Sequence, residues 1–129
     1  MQALLVKLWV GLATLIPALI GLLLIVNPSS AMAMSGLSTN DLIFGVGARN
    51  LVYGVVTLLA ILYFSRSVVG LMLIGRGLTE MFDTLGAAIS GSPIGPGTIS
   101  PFVSGIITFV VAYALIKEPD SSKRLFSSY

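Results

Sequence analysis

Four long apolar runs, separated by short polar breaks, dominate this 129-residue chain and leave it few folds. They lie at roughly 4–26, 42–64, 68–90 and 99–116, the last being the shortest. A bilayer-crossing helix needs about 20 mostly apolar residues. Hydrocarbon offers no partner for backbone N–H and C=O groups, so only helices and closed barrels span it. The runs are continuous and lack a period of two, which favours helix over strand. The sequence is 56% hydrophobic and 9% charged, whereas soluble domains average about 25% charged. The fold class expected is therefore all-α: a polytopic, four-transmembrane-helix bundle forming a single domain over 1–129. Localisation is expected to be integral and multi-pass, in the endoplasmic reticulum of a eukaryote or the plasma membrane of a bacterium.

The first run raises the alternative of a cleaved leader, with Ala31-Met32-Ala33 as a small-residue cleavage site. Its apolar stretch exceeds the usual signal core of about 7–15 residues and its N-terminus is barely basic. A retained helix is expected, bent at Pro17.

The breaks between runs predict orientation. Asn27–Asp41 contains no Lys or Arg, and GSPIGPGTIS (Gly91–Ser100) contains no charge. Ser65-Arg66-Ser67 is a tight basic turn, and the tail over 117–129 carries Lys117, Lys123 and Arg124. Four spans place Lys7, Arg66 and the tail on one side, with Lys7 snorkelling to the interface. The positive-inside rule makes that side cytoplasmic, giving an N-in/C-in topology.

Several chemistries are excluded. The chain has no cysteine and no histidine, so disulfides, thiolate catalysis and the commonest metal ligand are absent. No metal and no cofactor is expected. A net charge of +2, with basic groups not clustered as a nucleic-acid site requires, gives no nucleic-acid footprint.

Against this background four charged residues stand inside the second and third apolar runs. Arg49 lies in the second run, and Arg76, Glu80 and Asp83 lie in the third. At about 100° per residue, Arg76, Glu80, Asp83 and Ala87 share a stripe roughly 60° wide. Arg49, Asn50, Tyr53 and Thr57 share an arc of roughly 100° on the second helix. Both are expected to face inward, since lipid satisfies neither. Arg49 and Asp83 lie at similar depths, with Arg76 nearer the middle and Glu80 between, which suggests the pairs Arg49–Asp83 and Arg76–Glu80; Glu80 is also within reach of Arg49, and the four charges cancel. Each Arg or Asp at a helix centre costs roughly 2.5–3.5 kcal/mol, against a gain of about 0.3–0.6 for each Leu, Ile, Phe or Val. The third helix is therefore expected to insert as a hairpin with the second.

Weaker features have bland readings. Ser104 and Thr108 either close a cavity or bond to their own helix. Trp9, Tyr63 and Tyr113 suit interfacial anchoring. Asp41 suits a helix N-cap region. Gly45, Gly47, Gly70, Gly75 and Gly77 permit close helix packing. The GVGARN sequence sits inside a span and is not a dinucleotide loop.

The stretch Gly47-x-Arg49-Asn50-Leu51-x-x-Gly54, a basic turn, Gly75-Arg76 and then Glu80-x-x-Asp83 resembles small four-helix membrane proteins of unknown function grouped with the DoxX-like superfamily. The resemblance runs from about Ile43 to Ser90. It implies a four-helix membrane fold and says little about activity. In this chain Asn50 stands at a position often acidic in such proteins, and Met81-Phe82 precede Asp83.

Two functional expectations follow. The first is a membrane-embedded acid–base enzyme that opens an epoxide on a lipophilic small molecule, by hydrolysis or cyclisation in a biosynthetic pathway. Glu80 and Asp83 would share the acid and base roles, with Arg49 and Arg76 orienting them, and Asn50, Tyr53 and Thr57 would bind substrate. The second is a non-catalytic accessory or lipid-binding subunit, whose ion network fixes helix register. The partners expected are a lipophilic substrate and membrane lipids. A transporter would require a homo-oligomer, because one chain has only four helices and no clear repeat.

Overall fold

The computed structural model describes residues 2–29, 40–91, 95–118 and 122–126, with no side chains described for 2–3, 40–44 and 96–98. Ala31-Met32-Ala33, the Asp41 side chain and the centre of the Gly91–Ser100 loop lie outside that description. Four long helices follow in order: α1 Gln2–Val26, α2 Asn40–Tyr63, α3 Arg66–Ile89 and α4 Pro96–Lys117. Their bounds lie within three residues of those expected. α4 starts earlier than its apolar run because Pro96 suits a first turn, where its missing N–H would have no partner anyway. α1 runs without a break through Pro17.

Among the described residues, three helices are long and apolar enough to cross a membrane, over Leu4–Val26, Gly45–Tyr63 and Ile99–Lys117. α3 has the length, 24 residues or about 36 Å, but its charges dilute its apolar character. The chain forms two compact units, Met1–Leu58 and Leu59–Tyr129, with the boundary inside α2.

In the first unit α1 is inside-out relative to a soluble helix. It buries Val10, Thr14, Pro17, Gly21 and Leu24. It exposes Leu8, Leu12, Leu15, Leu19 and Leu23. Small residues let backbones meet where lipid, not water, surrounds the helices. A Cβ on Gly21 would stand 2.5 Å from the Leu51 N and 2.6 Å from the Gly47 O. One on Gly54 would stand 2.4 Å from the Ala18 Cβ, and one on Gly47 2.9 Å from the Leu24 Cβ. Position numbers rise on α1 as they fall on α2, so the pair is antiparallel. The buried positions on α1 alternate steps of three and four, the spacing of a shallow left-handed crossing.

The second unit repeats the arrangement. α3 buries Val69, Gly70, Leu73, Arg76 and Gly77. α4 buries Gly105, Thr108, Ala112 and Leu115. A Cβ on Gly77 would lie 3.1 Å from the Gly105 O, and one on Gly105 3.0 Å from the Gly77 O. A Cβ on Gly70 would meet Ile116 and Ala112. α3 and α4 are thus also antiparallel, in contact through glycine backbone.

The tail does not simply leave α4. The Arg66 amide donates to the Lys123 carbonyl at 2.9 Å, and Leu125 is only 2% exposed. Arg66 Nη1 also donates to Glu118 Oε2 at 2.5 Å, tying the start of α3 to the end of α4. Glu118 is 41% exposed, so this ion pair is weak while Leu125 is a true anchor. Glu118→Gln is expected to lower stability by under about 1 kcal/mol, and Leu125→Ala by about 2–5 kcal/mol. Unfolding of the purified protein by SDS titration would measure both. Equal effects would count against an apolar anchor.

Candidate functional site

The polar stripe of α3 is built by helix period alone at its core. Arg76 and Glu80 are one turn apart, and Arg76 Nη2 donates to Glu80 Oε1 at 2.6 Å. Their side chains are 9% and 16% exposed. The expected Arg76–Glu80 pair is present, near the middle of a helix that packs along one long and apolar enough to cross a membrane.

Direction explains what shelters each member. Taking Gly77 as the line of contact with α4, Glu80 is turned off that line by about 60°, Arg76 by about 100° and Asp83 by about 120°. Glu80 lies beside α4, its Cβ 3.7 Å from where a Gly105 Cβ would stand. Arg76 is buried, and its guanidinium donates to Glu80 on the same helix. Asp83 is exposed, a departure from the inward-facing stripe expected. It is turned farthest from the contact line, and it follows Met81, after which most of α3 is exposed.

Glu80 carries the least satisfied atom of the site. Its Oε2 is buried and has no hydrogen-bond partner among the described residues. The neighbouring hydroxyls turn elsewhere. Thr79 Oγ1 donates to the Gly75 carbonyl at 2.9 Å, and Thr84 Oγ1 to the Glu80 carbonyl at 3.0 Å, the backbone bonding usual for helical threonine. Leaving a buried acceptor unmet costs roughly 1–3 kcal/mol, more when it is charged. Such an atom in a native fold calls for a functional or structural reason.

Arg49, Asn50, Tyr53 and Thr57 belong to the first unit. Thr57 is buried, and the other three are half-buried. Relative to Gly54 on the α1 contact line, Asn50 is turned by about 40°, Thr57 by about 60°, Tyr53 by about 100° and Arg49 by about 140°. Gly21 presses α1 against the Asn50–Leu51 backbone, which fixes where along α1 this stripe sits. Arg49 and Asp83, the other expected pair, belong to different units. On α4, Thr108 is fully buried and Ser104 half-buried.

Sequence reasoning treated Arg66 only as a topology marker and missed its partner Glu118. The available signal was opposite charge at two helix ends that an antiparallel hairpin brings together. It also missed Leu125, whose signal was an apolar Leu-Phe pair within a polar tail.

Fold and site together define an all-α protein of membrane-spanning build, with a sheltered ion pair on its least apolar helix. The chain belongs to the family described as Domain of unknown function (DUF4267), whose match covers residues 14–115. No curated protein and no solved structure matches it.

Proposed function

We propose that the chain is a membrane-embedded acid–base enzyme acting on a lipophilic small molecule, with epoxide opening as its most concrete chemistry. The observation behind this reading is the buried, unpartnered Oε2 of Glu80, held on a carboxylate whose other oxygen is fixed by Arg76. Such an oxygen is oriented to accept a proton from a hydroxyl brought against it. In epoxide opening one carboxylate takes the proton of a water or substrate hydroxyl as that oxygen bonds to an epoxide carbon. The carbon–oxygen bond of the ring breaks, and the freed ring oxygen receives a proton from the second acid. Glu80 suits the first role, and Asp83, one turn on, the second. Arg49, Asn50, Tyr53 and Thr57 are proposed to orient and bind substrate.

The proposal includes α3 as a fourth span, supported by its length and by its antiparallel packing along α4. Lys7, Arg66 and the basic tail then share one side, which supports an N-in/C-in orientation. Kinship with DoxX-like proteins is part of this reading, on the residues of 43–90.

A second reading has its own support. The Arg76–Glu80 pair closes on itself within one helix, which is what a charge-neutral insertion or register device requires. The chain would then be a non-catalytic accessory or lipid-binding subunit.

Turnover separates the two. Purified parent, Glu80→Gln and Asp83→Asn proteins would be assayed against long-chain and terpenoid epoxides, with folding checked by circular dichroism. General acid–base catalysis is worth about 100- to 10,000-fold, so each variant is expected to lose at least about 100-fold while staying folded. Folded variants as active as the parent would sink the enzymatic reading.

A further inference from the structure

The end of α4 and the returning tail form a surface that the catalytic reading does not use. The apolar span Ile99–Lys117 ends at Lys117, so whatever follows begins at a membrane–water interface. The Lys123 carbonyl is bonded to the Arg66 amide, and Leu125 is buried. The tail is therefore pinned against the start of α3. This pinning leaves Lys117, Lys123 and Arg124 exposed. Phe126 beside them is 55% exposed. The Lys117 Nζ sits 5.0 Å from the centre of the exposed Tyr113 ring. By sequence this segment carries Lys117, Lys123 and Arg124 against Glu118 and Asp120, and Glu118 is ion-paired with Arg66.

Fixed cations interleaved with aromatic rings at the foot of a span match a layer of anionic headgroups above acyl chains. We propose that the α4 end and tail form a preformed binding surface for anionic phospholipid. Leu125 acts as the pin, Lys117, Lys123 and Arg124 meet the phosphates, and Tyr113 and Phe126 enter the headgroup zone. The inference rests on the span and the tail and is independent of the acid–base reading. It also differs from a free polybasic tail, because the geometry of the cations is set before lipid arrives.

The test uses the full-length protein in mild detergent, titrated with phosphatidylglycerol or phosphatidylcholine and read by native mass spectrometry and thermal shift. The parent is expected to bind phosphatidylglycerol at least tenfold more tightly, and less so at high salt. Each Lys or Arg near an anionic surface is worth about fivefold. The Lys117→Gln/Lys123→Gln/Arg124→Gln variant is therefore expected to lose about 100-fold, with its thermal midpoint unchanged in lipid-free detergent. Leu125→Ser keeps every cation and removes the pin, and is expected to lose most of the preference. Equal binding of the two lipids by the parent would overturn the proposal. So would full preference in the triple variant, or preference for a co-purifying protein over lipid. Full preference in Leu125→Ser would overturn the preformed surface.

Discussion

Truncating Glu80 to alanine while Arg76 remains is expected to cost about 3–5 kcal/mol, the penalty of leaving a buried charge without its partner. The size follows from shelter. The Arg76 side chain is 9% exposed and is ion-paired with Glu80. SDS-titration unfolding of the purified variant would show the loss, with the fraction recovered from the membrane as a second measure. The double replacement Arg76→Met/Glu80→Leu is more telling. Replacing a buried pair by apolar residues of similar volume is often neutral or stabilising, and it also removes two costly charges from α3. The double variant is expected to insert and unfold at least as well as the parent while losing all turnover. If it is stable and keeps every measurable activity, the pair is a register device and the acid–base proposal falls. If it is less stable than Glu80→Ala, the pair contributes packing beyond its charges, and the argument from unpaired charge is wrong.

Gly21→Leu is expected to be at least as damaging, because its new side chain would meet backbone and not a movable neighbour. The added Cβ alone would stand 2.5 Å from the Leu51 N and 2.6 Å from the Gly47 O. α1 and α2 would have to separate along the seam that also holds Gly47 and Gly54. Overpacking of a tight core costs about 1–3 kcal/mol, and more where backbone must move, so a loss above about 3 kcal/mol is expected. Gly11 supplies the control. A Cβ there meets nothing within 4 Å, so Gly11→Ala is expected to be neutral or stabilising by under about 1 kcal/mol. Paired unfolding curves would decide. Similar losses at Gly21 and Gly11 would mean that helix flexibility, and not close approach, is what those glycines provide.

These two effects mark where the sequence speaks and where it stops. Apolar runs about 20 residues long are a local signal, and so is the four-residue step from Arg76 to Glu80. A helix places such residues side by side whatever surrounds it, so four helices and one ion pair were readable before any tertiary structure. The charges of α3 were equally plain in sequence, and they are why its length alone does not give it the composition of a span.

What surrounds each helix is a different matter, because it depends on register between segments far apart in the chain. Only the antiparallel packing of α3 on α4 turns Glu80 toward Gly105, strands its Oε2 and leaves Asp83 exposed. The same packing joins Arg66 to Glu118 across 52 positions and gives Leu125 a place to bury. Among the glycines grouped by sequence as packing residues, tertiary structure separates Gly47, Gly70 and Gly77, which meet a neighbouring helix, from Gly45 and Gly75, which meet nothing within 4 Å. By itself the sequence determined the helices and the local pair, because period and hydrophobicity are properties of consecutive residues. Tertiary structure decided which polar atoms are left unmet, because satisfaction of a buried group is a property of everything packed around it.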